Sequence, residues 1–237
     1  VTALSTSGTY NFGLSQADVF METMDRIEVR GPAITSEHAD SFRRSLNLEL
    51  QTWANRGVLL WAVVQGTALA LVQGTATYSL PTNCVQMLDT YYSISNGDGT
   101  YTDRLILPMT RTEYAEIPTK LLQAPPTRYW MQRDYAPQVT TWPVYDGSSF
   151  PALINYFYLR QLQDANVLGS EAPDVVNRFL DALCAGVAKR MAVKWKADKY
   201  QLLTLEAQAA WNEARKEDRE QGPLTIRPDL SCYRWGR

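Results

Sequence analysis

The sequence predicts an α+β fold: a four-helix bundle built from both chain ends, an inserted antiparallel β-sheet or sandwich region, and an extended C-terminal arm. Three observations carry this. Apolar residues recur at helical spacing only near the two ends of the chain. The middle is a series of short β-forming runs punctuated by glycine and proline. After Gly222-Pro223 no period remains. The expected division is therefore 1–58 for the N-terminal helices, 59–163 for the β-rich insertion, 164–221 for the C-terminal helices and 222–237 for the arm. A length of 237 residues lies between one domain and two, enough to bury a core without a disulfide or metal staple.

The first helix is expected from about Ser15 to Glu28, with Ser15 and Asp18 in capping-box positions and Ala17, Phe20, Met24 and Ile27 on one face. Gly31-Pro32 separates it from a longer helix, about Thr35 to Arg56, striped by Ala39, Phe42, Leu46, Leu50 and Trp53. Strand texture then begins with LLWAVVQ, ALALVQ and TYSLP. VQGTA occurs twice, at 64–68 and 72–76, and reads as two successive turns. VQMLDTYYSIS, the turn Asn96-Gly97-Asp98-Gly99 and TYTDRLIL predict a hairpin. Thr110 and Glu113 cap a short helix that Pro118 stops, and strands follow at about 128–133, 139–142 and 152–162. Pro137, Pro143 and Pro151 confine these strands to edges and ends of a sheet. A helix with Pro173 in its first turn carries Val176, Leu180, Leu183, Val187, Met191 and Trp195. The last helix, about Lys199 to Glu220, places Tyr200, Leu203, Ala207, Ala210 and Ala214 inward and ends in RKEDREQ, which reads as a solvated face.

Composition excludes much. Lys+Arg is 23 against Asp+Glu 25, a net charge of −2, which argues against gripping nucleic acid or anionic lipid through bulk positive charge. The longest apolar run, Val58 to Val64, is far short of a membrane span, and the first residues lack the pattern of a secretory leader. Cys84, Cys184 and Cys232 are odd in number and scattered, so free thiols in a reducing compartment are expected. One histidine and three scattered cysteines make no typical zinc site, and neither GxxxxGK[ST] nor GxGxxG occurs. No cofactor, metal or catalytic residue is expected. His38 itself, in a polar helix start, reads as solvated. The 7 Trp and 13 Tyr need an explanation, and interfaces enriched in aromatic residues and arginine offer one.

An ordered series of segments resembles the head-to-tail adaptors of short-tailed bacteriophages, the group that includes tail tubular protein A. It runs from Ser36 to Trp61, ending LNLELQTWANRGVLLW, through TYSLP, ILPMTRTEY, PPTRYWMQRD and WPVYD. It closes with LINYFYLRQL, PDVVNRFLDALCAGVAKRMA and IRPDL, covering nearly the whole chain in order. The resemblance implies a virion protein at the portal–tail vertex, assembled in the host cytoplasm. It implies a ring of copies of the chain, typically twelve, beneath the portal protein, with the β part facing the tail nozzle or tail tube protein. Double-stranded DNA would pass through the lumen without specific binding, and the near-neutral charge suits that passage. The C-terminal arm would dock in the portal, whereas its residues alone, 224–237, read either as a segment that docks on a partner or as a frayed end. Its candidate contact residues are Leu224, Ile226, Arg227, Tyr233, Arg234, Trp235 and Arg237, the aromatic and arginine types of interface hot spots. The nozzle-facing candidates are the hairpin tip, Asn96, Gly97, Asp98 and Gly99.

Two other readings exist. A peptidoglycan-cleaving glycosidase needs only two carboxylates, and Glu37 with Asp40 or Glu113 with Glu116 are the candidate pairs, although both lie near helix starts where acidic residues are favoured anyway. A β-rich module stacking sugars or single-stranded bases would use exposed aromatics beside Arg104, Arg111, Arg128 and Arg133.

Overall fold

A computed structural model describes residues 9, 11–57, 59–148, 151–165 and 171–219. In chain order the helices are α1 (Gln16–Arg26), α2 (Ser36–Ala54), α3 (Arg111–Glu116), α4 (Leu180–Trp195) and α5 (Tyr200–Glu217). The strands are β1 (Val63–Gln65), β2 (Leu69–Ala70), β3 (Thr77–Ser79), β4 (Cys84–Ser95), β5 (Tyr101–Leu105), β6 (Leu107–Pro108), β7 (Arg128–Gln132), β8 (Gln138–Trp142) and β9 (Ala152–Arg160). The chain is a mixed α+β protein, with helices at both ends and the strands between them. The expected arm, including Leu224, Ile226, Arg227, Tyr233, Arg234, Trp235 and Arg237, lies outside the described residues.

Local chemistry starts the helices. The Ser15 hydroxyl accepts the Asp18 N–H at 3.1 Å while Asp18 Oδ2 accepts the Ser15 N–H at 3.0 Å, which satisfies two of the donors a helix start leaves open. Thr110 and Glu113 repeat the device at α3. At α2 the reciprocal partner is His38. Its Nδ1 accepts the Thr35 N–H at 3.2 Å, and its ring lies 4.6 Å from that of Trp195 on α4. The expectation of a solvated histidine is therefore wrong: His38 is buried, because the third helical position turns its side chain back over the cap and under Trp195. Replacing His38 with alanine removes both contacts and should cost about 1–2 kcal/mol of stability, read from the shift in thermal melting.

Helices from both ends share one core, which joins Val19 and Met24 of α1, Phe42 and Trp53 of α2, Leu183 and Met191 of α4, and Leu203 and Trp211 of α5. α1, α2 and α5 all pack on α4. That explains why α4 is buried on nearly every side, from Leu180 through Ala185 and Gly186 to Ala192, rather than along the single stripe expected. Its start also differs. Val176 is extended (ψ 152°) and a 3-10 turn at Asn177–Phe179 leads in, so Pro173 precedes the helix instead of occupying its first turn. On α5 the inward face is Leu203, Ala207, Trp211 and Ala214, with Tyr200 exposed. The Trp211 ring, 4.8 Å from Trp53 and 5.3 Å from Phe179, sets that face in place of Ala210.

The strands form two sheets. One, in the order β1-β9-β4-β5 with β2 also on β9, is antiparallel. The other, β3-β8-β7-β6, is antiparallel except for the parallel β6–β7 pair. Pro137 and Pro143 bracket β8 and Pro151 precedes β9, the terminal positions a residue without an N–H tolerates. Leu60–Ala62, expected as strand, is a 3-10 turn.

Side chains of both sheets meet in a second core: Tyr92 from β4, Tyr129 from β7, Val139 from β8, and Ile154, Tyr156 and Tyr158 at every second position of β9. Leu159, next along β9, points the other way and belongs to the helical core. Beside β9 the chain at Gly66 comes so close that an added Cβ would lie 2.2 Å from the Tyr156 ring. The Gly66 N–H donates to the Tyr156 carbonyl at 2.9 Å.

Candidate interaction surfaces

The hairpin tip forms where the sequence places it. Asn96, Gly97, Asp98 and Gly99 are all exposed, and Gly97 and Gly99 have φ of +83° and +88°, a region that suits glycine. Thr100 N–H donates to Asp98 Oδ1 at 2.9 Å, and Asn96 Nδ2 donates to Thr100 Oγ1 at 2.8 Å. The tip is thus internally fixed. The strand leaving it, β5, is the edge of its sheet, and every residue in it is exposed. Tyr101, Leu105 and the adjacent Leu107 add apolar surface to an edge that can pair with another chain.

The aromatic residues do not follow the expectation of contact surfaces. Tyr92, Tyr129, Tyr145, Tyr156 and Tyr158 are buried, and Trp53, Trp61, Phe179 and Trp211 form one helical cluster. Their area serves cores, because two separate cores must be filled. The exceptions include Tyr101 and Tyr135, the latter 99% exposed.

Neither catalytic pair fits its chemistry. Glu37, Asp40 and Glu116 are exposed. Glu113 is held by the Thr110 N–H at 2.6 Å, which keeps its carboxyl below the usual range, whereas a general acid needs it raised. Arg104, Arg111, Arg128 and Arg133 are exposed on β5, α3, β7 and just beyond β7, spread over three elements rather than along one. The nearby rings of Tyr114 and Trp130 stack on each other at 5.2 Å, so one face of each is taken. Cys84 and Cys184 are buried, and burial pushes both thiols up to about 11, the reverse of what a nucleophile needs. Among the described residues no cluster of three or more His, Cys, Asp or Glu could hold a metal ion, and no helix is long and apolar enough to cross a membrane.

Sequence reasoning missed the polar seam between α2 and α4. Glu49, 1% exposed, accepts from Arg190 Nε at 2.5 Å and from Trp53 Nε1 at 3.0 Å. Gly186 makes room for it, since a Cβ there would sit 2.8 Å from Glu49 Oε1. A turn away, Lys194 Nζ donates to Ser41 and Ser45, and burial lowers its pKa, with Arg44 and Arg190 adding to the effect. The signal was present: Glu49 stands three residues after Leu46 and four before Trp53, inside the apolar stripe. Asp218 was missed too. Just past α5, its side chain is only 2% exposed and accepts from Arg178 and from the Leu60 N–H.

A further clasp joins β9 to the chain entering α4. Arg160 pairs with both Asp174 oxygens, and the Gln163 N–H donates to the same carboxylate at 2.8 Å. The Arg160 hydrogen bonds hold the Asp174 carboxyl below its ordinary value. A depressed carboxylate stabilises the fold above its unfolded pKa, and that contribution is lost as pH falls through the folded one. Asp174→Asn should therefore lower stability at neutral pH by about 1 kcal/mol. The melting temperatures of variant and parent should converge in acid.

A family model described as SU10 adaptor protein matches residues 20–227, from within α1, through both sheets, to beyond α5. The chain belongs to the SU10 adaptor protein family. No individually curated protein matches the sequence. An SU10 adaptor is a phage adaptor, so this chain is a structural component of a virion at the head–tail junction, associated with other head and tail components. The family points to a structural, non-enzymatic role.

Proposed function

We propose that this SU10 adaptor acts as the head-to-tail adaptor of a short-tailed phage, in the manner of tail tubular protein A. It forms a ring of twelve copies beneath the portal and extends the DNA channel toward the nozzle. The helices act as a four-helix bundle packed around the ring, and residues 1–58 and 164–221 form one unit with 59–163 inserted. Residues 222–237 dock in the portal through Leu224, Ile226, Arg227, Tyr233, Arg234, Trp235 and Arg237. The hairpin tip at Asn96, Gly97, Asp98 and Gly99 meets the nozzle or tail tube. The genome passes without specific binding, and no reaction is catalysed.

The observation that carries this reading is the family match, which spans the helices, both sheets and the first part of the arm together. The fixed, exposed hairpin and the bare β5 edge give it surfaces suited to further subunits. Mixed with portal rings, the full chain should join a complex whose mass fits a whole number of copies. A chain truncated after Gly222 should lose that association, at least tenfold in apparent affinity by about 1.4 kcal/mol per decade, while keeping its helical signal and melting. Equal binding by the truncated chain would remove the docking arm from the proposal.

A further inference from the structure

We infer that a basic groove between the C-terminal ends of α2 and α5 is a docking site for an acidic segment of a partner protein. The groove encloses about 790 Å³ and is lined by Arg56, Leu59, Trp211, Arg215, Lys216 and Arg219, among others. A smaller concavity of about 260 Å³ continues it past Arg56 and Trp211 toward Lys189 and Gln208. Five cations thus line one depression in a chain whose net charge is −2.

Two carboxylates, Asp218 and Glu49, also line the depression, and both are engaged by other partners. Asp218 is turned inward to Arg178 and the Leu60 N–H, and Glu49 is taken by Arg190 and Trp53, with Arg56 only at 3.9 Å. Among the described residues, Arg215, Lys216 and Arg219 form no ion pair. Cations in the last turn of α5 are favoured by the helix dipole, which accounts for part of the pattern. It does not account for Arg56, which reaches the groove from just beyond α2 with its guanidinium 4.5 Å from the centre of the Trp211 ring. Stacking occupies the face of that guanidinium and leaves its in-plane N–H groups suited to a carboxylate.

The occupant follows from charge and shape. Residues 220–237 carry three arginines against one glutamate and one aspartate, the wrong sign to fill the groove from the same chain. Duplex DNA presents its phosphates on a convex cylinder and reaches the rim cations, not a floor made by Trp211 and Leu59, both nearly buried. A flexible acidic peptide can place carboxylates on Arg56, Arg215, Lys216 and Arg219 and an apolar side chain on the floor.

That the partner is another virion protein rests on the adaptor reading; the groove's preference for acidic peptide does not. The test uses the full chain and a short fluorescein-labelled oligoglutamate peptide carrying one phenylalanine, with its glutamine counterpart and a duplex oligonucleotide as competitors, followed by anisotropy. The oligoglutamate should bind and the glutamine peptide should not. Arg215→Glu with Arg219→Glu should weaken binding about tenfold or more, and Arg128→Glu, on β7, should leave it unchanged. Unaltered binding by the double variant, or displacement by the duplex at lower concentration than by unlabelled peptide, overturns the inference. Neither result depends on ring formation or portal docking, so failure here and failure of the adaptor reading are told apart.

Discussion

Replacing Arg190 with alanine should destabilise the protein by about 3 kcal/mol, seen as a lower urea midpoint with an unchanged slope. Removing one partner of a buried pair leaves the other charge without compensation, and Glu49 is that other charge: its side chain is only 2% exposed. Arg56, 3.9 Å from Glu49 Oε1, keeps the loss near the lower end of the usual range for such breaks. Glu49→Gln should cost less, about 1 kcal/mol, because it removes the buried charge and keeps an acceptor for the Trp53 indole, while Arg190 is exposed enough to hydrate. The double variant should then be more stable than the sum of the two single losses predicts, a coupling of about 1–2 kcal/mol. Strict additivity would mean that Arg190 acts through the hydrogen bonds it donates to Thr52 and Leu48 rather than through the ion pair.

The second large effect is expected at Gly66. A methyl group there would overlap Tyr156, with the ring carbons at 2.2 and 2.3 Å and the hydroxyl at 2.7 Å. The ring cannot swing aside, since Tyr156 is buried in the β core between Ile154 and Tyr158 on the same face of β9. Either β1 separates from β9 or the ring is forced off its rotamer, and a loss of about 3 kcal/mol should follow. Adding Tyr156→Leu should recover part of it by removing the overlapping atoms. If Gly66→Ala melts with the parent, the close approach at this point is wrong.

These two sites also mark the limit of what the sequence discloses. The capping residues Ser15, Asp18, Thr110 and Glu113 act within a single turn, and the Asn96–Gly99 hairpin is closed by its own side chains, so both are legible from spacing. Periodicity likewise finds the helices and the long strands. It does not find partners. Arg190 meets Glu49 across 141 residues, and Asp218 meets Leu60 across 158, so each reads locally as an ordinary solvated charge. His38 reads as solvated for the same reason, since Trp195 covers it from a distant helix. The aromatic residues read as contacts because composition is the same for a filled core and an interface. Of the candidate surfaces, the hairpin tip was readable and the basic groove was not, as its cations come from the ends of two helices far apart in the chain.

β9 has a mechanical meaning for a protein at the head–tail junction. Its length is flanked by β4 on one side and by β1 and β2 on the other, while Leu159 near its end is anchored among the helices. The chain crosses between the helical core and this sheet twice, through Leu59 and Ala62 into β1 and through Leu159 out of β9. Tension between the two would draw β1 and β9 together and load the β4–β9 ladder in shear, where many hydrogen bonds resist together instead of opening one at a time. Arg160 and Asp174 fasten the strand where that tension would enter. Under pull, resistance is set by the rate of unfolding rather than by equilibrium stability. β9, drawn together with β1, is therefore an element through which the molecule would transmit a load between its helices and its sheets, and the clasp at its end is where yielding would begin.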